Sequence, residues 1–345
     1  MSLNDVARTA GVSVATASRV LGGSDHPVSP TTRTRVLQAA QQLGYYPNSV
    51  ARALVTRQTK TLGVIVGDIV DPYFSAIVRG IEDRAREHGY LAIVCNSDRV
   101  PDIELNYVRV LRDYHVDGLI FAGGGLLDDG YRSHLDPLLV DLQRGGFVSV
   151  GIGQHRVVSA RVDIDNARAT EEMTEHLLSL GHRKIAYLIG PAGLATSLVR
   201  RDAFQACLRR HGLPLEEDLL IQGDFTLDGG FQATTHLLEQ GSPVTAVFAA
   251  NDQMAIGALL ATQKRNLRVP ADLTVVGFDD IAAARYVHPP LTTIHVPMYE
   301  MGVQAAEAIV RLLRGDTMDR PMVLDHELIV RASSAPPGRG ASFGG

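Results

Sequence analysis

Between residues 3 and 44 apolar positions recur at helical spacing, and beyond residue 60 the pattern changes to short apolar runs alternating with amphipathic stretches. Leu3, Val6, Ala7 and Ala10 predict a first helix, which Gly11 ends because glycine enters a left-handed turn without steric cost. Ser13 then caps a second helix, Val14 to Leu21, whose Ala17, Val20 and Leu21 can pack on the first. A third helix is predicted from Pro30 to Leu43, capped by Ser29 and ended by Gly44. Three helices with a tight glycine turn between the first two form a helix-turn-helix unit.

The later runs TLGVIVG, YLAIVCN, DGLIFAG and FVSVGIG read as strands, with helices near 73–88, 102–114 and 131–144 between them. A second set follows: KIAYLIG, a helix near 197–211, a short strand at 219–222, a helix near 227–239, TAVFAAN, a helix at 252–263 and LTVVGFD. Such βαβ units build parallel sheets covered on both faces, and two sets imply two doubly wound lobes. Ligands of such sheets bind beyond the carboxyl ends of the strands, which directs attention to the cleft between the lobes. Residues 45–60 contain SVARALVTRQ, where Val50, Ala51 and Leu54 have helical spacing but too few neighbours for a stable isolated helix. Ser333 to Gly345, rich in Ser, Pro and Gly with one Arg, reads as a disordered tail.

Composition narrows this picture. The 345 residues fit two or three domains, and 45% hydrophobic with 21% charged residues is ordinary globular composition. The longest apolar runs, such as Leu62–Val66 and Val244–Ala250, fall far short of the ~20 residues that span a bilayer. The first residues, MSLNDVARTAG, have no apolar signal region, so a cytoplasmic chain without a membrane partner is expected. Cys95 and Cys207 each lie in an apolar stretch and read as two buried free thiols. The net charge of −5 argues against nucleic acid only until it is divided along the chain. Residues 1–60 carry seven basic and two acidic side chains, net +5, and the remainder carries 26 basic and 36 acidic ones, net −10. A basic module joined to an acidic body is the expected arrangement.

Catalytic signatures are mostly missing. The chain has no G-K-[ST], no G-x-S-x-G and no H-E-x-x-H, and no two of its twelve histidines stand four apart. Gly123-Gly124-Gly125 resembles a phosphate cradle only loosely, because Asp128 takes the place of the last glycine, and a flexible loop is the favoured reading. No metal site, cofactor or enzymatic activity is expected.

The segment LNDVARTAGVSVATASRVL, Leu3 to Leu21, resembles the N-terminus of the LacI/GalR family of transcriptional regulators. The likeness continues through VSPTTRTRVLQAAQQLGYYPNSVARAL, GPAGLATSLVRRDAF, AANDQMAIGAL and VVGFDDIAAARYVHPPLTTI, and covers residues 3–331. It implies an all-α helix-turn-helix head at 1–46, a hinge helix at 47–60, and an α/β, two-lobed, periplasmic-binding-protein-like body at 61–332 with parallel doubly wound sheets. The lobes would divide near 61–160 with 297–319, and 161–292 with 322–332, leaving 333–345 as the tail. The implied function is a ligand-responsive repressor binding double-stranded operator DNA as a homodimer, with no cofactor beyond a small-molecule effector. A sugar is the first expectation for that effector, and a nucleobase the alternative.

The resemblance also assigns roles. Val14 and Ala15, with Arg19 a turn later, would face base edges, where Arg19 can bind guanine in bidentate fashion. Thr16 and Ser18 suit phosphate contacts. The competing reading of Val14 and Ala15 is core packing. Asn48 would begin the hinge helix, with Ala51 and then Leu54 following, and Leu54 would wedge into a central base step unless it packs on the body. In the body, Arg200 corresponds to the family's effector-anchoring arginine, with Thr196, Asn251 and Asp279 as polar neighbours and Phe225 as an aromatic platform. Tyr73, Phe74 and Ile77 would line the opposite lobe, with core packing as their alternative, and Asp279 could instead be a loop cap beside Asp280. Two departures stand out: Ala17 replaces a common valine, and Val296 stands where some members place a polar contact. A periplasmic solute-binding protein would share the body but lacks a reason for the basic head.

Overall fold

The computed structural model describes residues 1–22, 26–45, 58–214, 216–318 and 320–338. The chain divides into two compact units, Met1–Thr61 with His115–Asp117, and Leu62–Tyr114 with Gly118–Gly345. Among the described residues no helix is long and apolar enough to cross a membrane.

The first unit contains α1 (Leu3–Ala10), α2 (Val14–Leu21) and α3 (Pro30–Gln42). Each starts on a serine cap. Ser2 and Asp5 form a reciprocal capping box on α1, Ser13 Oγ accepts the Thr16 amide of α2 at 3.1 Å, and Ser29 Oγ accepts that of Thr32 on α3 at 3.3 Å. Gly11, with φ of 61°, ends α1 in the left-handed conformation that the sequence predicted. The core is small and alanine-rich: Val6, Ala7, Ala10, Ala17, Val20, Val36, Ala39 and Ala40, with Leu3, Val12 and Leu21 at its margin. Ala17 fits this close packing, where a larger side chain would need its neighbours to move. Asn48, Ala51 and Leu54 lie outside the described residues.

The second unit has two parallel sheets. The six-stranded sheet has the order β11-β5-β4-β3-β1-β2, built from β1 (Thr61–Val66), β2 (Leu91–Asn96), β3 (Gly118–Ala122), β4 (Val148–Ile152), β5 (Ala160–Ile164) and β11 (Met322–Leu324). The four-stranded sheet has the order β7-β6-β8-β9, from β6 (Ile185–Ile189), β7 (Leu220–Gln222), β8 (Ala246–Ala249) and β9 (Thr274–Val276). The apolar runs of β1, β3, β6 and β8 are buried on both faces, as helix-covered parallel strands must be. The helices between them are α4 (Pro72–Glu87), α5 (Pro101–Asp113), α6 (Asp129–Arg144), α7 (Asn166–Ser179), α8 (Ala195–Arg210), α9 (Leu227–Glu239), α10 (Asp252–Lys264) and α11 (Met298–Leu313).

Several boundaries differ from those expected. Strand β5 extends the first sheet to Ile164, and β11 pairs with it in parallel, Met322 opposite Val162 and Leu324 opposite Ile164. Residues 161–164 and 322–324 therefore belong to the first sheet, not the second lobe. Polar alternation in β5 and the three-residue length of β11 hid them. A two-stranded antiparallel pair, β10 (Thr293–His295) with β12 (Glu327–Ile329), was also unforeseen. The start of the presumed tail is ordered. Ser333 is fully buried, its Oγ donating to the Val275 carbonyl at 2.6 Å and accepting the Thr292 amide at 2.8 Å, and Ala335 accepts from His182 at 2.9 Å. Small residues held by hydrogen bonds bury little apolar surface, so composition alone reads them as disorder. Cys207 is buried, but Cys95 on edge strand β2 is only half-buried, and both are free.

Helix α11 packs on α4 through paired glycines. A Cβ at Gly80 would lie 2.1 Å from the Tyr299 carbonyl oxygen, and one at Gly302 would lie 2.0 Å from that of Ile77. We expect Gly302→Ala to destabilise the protein by about 1–3 kcal/mol through overpacking, read as a lower urea midpoint; an unchanged midpoint would show that the helices separate freely.

Candidate functional site

In the first unit, α2 presents a polar face beside its amino terminus. Val14 is 44% exposed, and Ala15, Ser18 and Arg19 are exposed as well, whereas Ala17 and Val20 are buried. Core packing therefore does not account for Val14 and Ala15. Thr16 is half-buried, with its hydroxyl 2.8 Å from that of Ser13. Arg19 is paired with no carboxylate among the described residues, so its guanidinium is available to an outside partner. The amino-terminal amides of a helix also favour an anion.

In the second unit, a cleft of about 690 Å³, open solvent included, is lined by residues that follow the carboxyl ends of strands of both sheets. After β1 come Gly67, Asp71, Tyr73 and Phe74; after β2, Ser97 and Arg99; after β4, His155. The opposite wall carries Thr196 and Arg200 on α8, Phe225 after β7, Asn251 after β8 and Asp279 after β9. Thus Tyr73, Phe74, Thr196, Arg200, Phe225, Asn251 and Asp279 are brought into one cleft. Ile77 is not: it is fully buried in the core against α11, so its assignment to the cleft is corrected. Val296 is likewise a core residue.

Arg200 is the most constrained of these groups. It is 4% exposed, donates from Nε to Asn166 at 2.9 Å and from Nη1 to the Ala250 carbonyl at 2.5 Å, and lies 3.5 Å above the centre of the Phe278 ring. Its helix is anchored by aromatic packing: Phe204 stacks on Tyr187 of β6 at 4.7 Å, and Tyr187 meets Phe248 of β8 edge-on at 5.1 Å. The remaining guanidinium nitrogen is 3.8 Å from Asp279 Oδ1.

Asp279 is buried, adopts φ of 118°, and its Oδ1 has no hydrogen-bond partner. Burial pushes its carboxyl well above the usual range, against the pull of Arg200 and with further upward push from Asp252 and Asp71. The loop's Ile281 amide is capped by Asp252, while Asp280 is held in ion pairs. Asp280 is held by Arg331 at 2.6 Å, His295 at 3.2 Å and Arg285 at 3.3 Å. Asp252 accepts from Thr293 at 2.6 Å and from the Ile281 amide at 2.9 Å, and burial raises its carboxyl to about 7.

Asn251 spends both ends of its amide on structure: Oδ1 caps α10 at the Met254 amide, 3.0 Å, and Nδ2 donates to the Phe225 carbonyl at 2.9 Å. That second bond helps hold Phe225 at φ of 68°, and its ring lies over Gly190, where a Cβ would come within 2.2 Å. Arg99 spans the aromatic walls, 5.5 Å from the Phe74 ring centre and 5.9 Å from that of Phe225. The glycine run is no flexible loop. A Cβ at Gly124 would lie 2.2 Å from Thr196 Oγ1, and the Ala195 amide donates to the Gly125 carbonyl at 3.0 Å, so one wall's backbone is fastened to the other's.

Asp71, Arg99, Glu104 and His155 were missed. Asp71 and Arg99 stood in plain view just past strand ends, where the ligand rule could have found them. Glu104 lies within α5, lines the cleft and accepts from Tyr131 of α6, a partnership no periodicity announces.

A model of the periplasmic binding protein-like domain matches residues 174–334, and one of bacterial regulatory proteins of the lacI family matches residues 2–48. Catabolite control protein A of Priestia megaterium is 34% identical over 336 residues, covering 97% of this chain and 99% of its own. The solved complex of the transcriptional regulator CelR with cellobiose is 33% identical, with a TM-score of 0.71 over 97% of this chain and 100% of that one. The lac repressor dimer bound to operator and the anti-inducer ONPF is 30% identical, with a TM-score of 0.85 over 97% of this chain and 99% of that one.

His155 has its Nε2 2.6 Å from the Gly123 carbonyl, and burial lowers its pKa to about 4. The unfolded chain then takes up a proton between pH ~6.5 and ~4 that the folded chain refuses, so stability falls as pH drops through that window, by up to about 3 kcal/mol. In denaturant titrations from pH 7 to 4, His155→Gln should lose less stability than wild type; equal losses would contradict this.

Proposed function

Because the chain belongs to the lacI family of bacterial regulatory proteins, we propose that it represses transcription as a homodimer controlled by a sugar held in the cleft. Each α2 helix reads one half-site of a pseudo-palindromic operator. The protein is a transcriptional regulator acting in the cytoplasm, and we assign it no catalytic step and no cofactor.

The observation that carries the effector reading is the Arg200–Asp279 pair. A fixed guanidinium donor stands beside a carboxylate oxygen with no partner, both buried in an aromatic-walled cleft. A sugar hydroxyl donates and accepts at once and so satisfies both groups, while the faces of Phe74 and Phe225 cover its C–H surface. The CelR complex with cellobiose supports a sugar, and the lac repressor dimer on its operator supports the assembly. The same aromatic rings admit a nucleobase, which is the second reading. Control follows if the ligand binds one arrangement of the cleft walls better than another, since equal affinity for both would shift nothing.

Two experiments test this. In operator binding followed by fluorescence anisotropy, Arg19→Ala should cost about 1–3 kcal/mol and relax one base position, and Leu54→Ala should weaken binding with half-site preference kept; if neither alters binding, the DNA reading fails. In a thermal-shift panel, a sugar at about a hundredfold its Kd should add about 2.7 kcal/mol of stability. A response to nucleosides alone would move the effector to the nucleobase class.

A further inference from the structure

Away from the cleft, the carboxyl-terminal half of α7 and the end of α8 bring three different metal-ligating groups together. Glu175 projects from α7, and Cys207 and His211 from the end of α8, where spacing of four places them on one helical face. Their ligand atoms all lie within 4.8 Å of one another. Cys207 Sγ is 3.4 Å from Glu175 Oε1, and His211 Nε2 is 2.9 and 2.8 Å from the two carboxylate oxygens.

We propose that Glu175, Cys207 and His211 form a binding site for a divalent cation of the Zn²⁺ class, with a fourth position open to solvent. The donor set is one thiolate, one imidazole and one carboxylate, the mixture such a borderline ion prefers. Tetrahedral coordination at the usual bond lengths separates neighbouring ligand atoms by about 3.4–3.6 Å. The sulfur–carboxylate distance already meets this, the imidazole must draw back from the carboxylate by about half an ångström, and the sulfur and imidazole, within 4.8 Å of each other, close on the ion as it binds. As the metal–sulfur bond forms, the thiol proton leaves to solvent, and neutral His211 coordinates through the Nε2 lone pair.

The surroundings suit such an ion. Cys207 is fully buried, whereas the Glu175 and His211 side chains are each 44% exposed, so the sulfur is presented from the interior and the other ligands leave an entrance. The His211 amide donates to the carbonyls of Cys207 and Leu208 at 3.3 and 3.1 Å, which fixes it at the carboxyl end of α8, where helix carbonyls favour a cation. One group opposes this. Arg210 places Nη2 3.7 Å from Glu175, but its Nη1 is already engaged by Glu171 at 2.8 Å, and with half its side chain exposed it is free to swing outward. The same two helices carry Arg200, which lines the cleft, and Asn166, which holds it, so a cation here would clasp the pair that positions them.

The test is a Co²⁺ titration of the full chain, stripped with chelator and kept reduced, followed by near-ultraviolet thiolate-to-cobalt absorption. The expected result is a band that saturates at one equivalent, is bleached by Zn²⁺, survives Cys95→Ser and disappears in Cys207→Ser. Even outer-shell partners are worth about tenfold in metal affinity, so His211→Ala, a surface change that leaves folding intact, should weaken cobalt binding by at least that factor. No band in the wild-type protein, a band lost with Cys95 but kept without Cys207, or an affinity indifferent to His211→Ala would each overturn the site.

Discussion

The cleft depends on a single buried cation. Arg200 is held on three sides, by Asn166, by the Ala250 carbonyl and by the face of Phe278, and its remaining side turns toward Asp279. Burying a guanidinium without such partners would cost several kcal/mol. The surrounding elements serve that requirement. Helix α7 begins at Asn166, β8 ends beside Ala250, β9 leads into Phe278 and Asp279, and the Tyr187–Phe204–Phe248 cluster fixes α8 against the sheet. Because the arginine's orientation is settled before any ligand arrives, little ordering remains to oppose binding, which is the benefit of preorganisation.

Charge is partitioned as firmly as structure. The first 60 residues carry +5 and the rest −10, so a net −5 describes neither. The exposed guanidinium of Arg19 and the amino terminus of α2 belong to the basic part, and the acidic remainder discourages indiscriminate contact with phosphate. Affinity for DNA that resides in the basic segment falls steeply as salt rises.

Much of this was legible in the sequence because local rules and packing agree. Ser13 before Val14 and Gly11 after Ala10 mark helix ends by chemistry that acts within three residues, and the runs around Val64 and Val247 announce strands buried on both faces. Arg200 and Phe225 could be placed only through the resemblance of their segments to the family, and Asp279 through that resemblance and its position just past a strand. What escaped depends on distant partners. Whether Ile77 faces the cleft or the core depends on α11, whose Gly302 lets the Ile77 backbone approach from more than two hundred positions away. Residues 322–324 join the first sheet because β5 offers an edge, and Ser333 is ordered because Val275 and Thr292 offer hydrogen bonds. Glu104 lines the cleft with its carboxylate bonded to Tyr131 of a separate helix. Nothing in the residues themselves carries that information.

If occupancy of the Arg200–Asp279 cleft controls DNA binding, a bound ligand must change operator affinity through those two residues. The decisive measurement is operator affinity of the full chain with and without the ligand that stabilises it, in wild type and in Asp279→Ala. Coupling between two sites is typically worth 5- to 150-fold, so a change of roughly tenfold or more is expected in the wild-type protein and none in the variant. An operator affinity indifferent to ligand in wild type, or an equal response in both proteins, would show that the Arg200–Asp279 cleft does not control DNA binding.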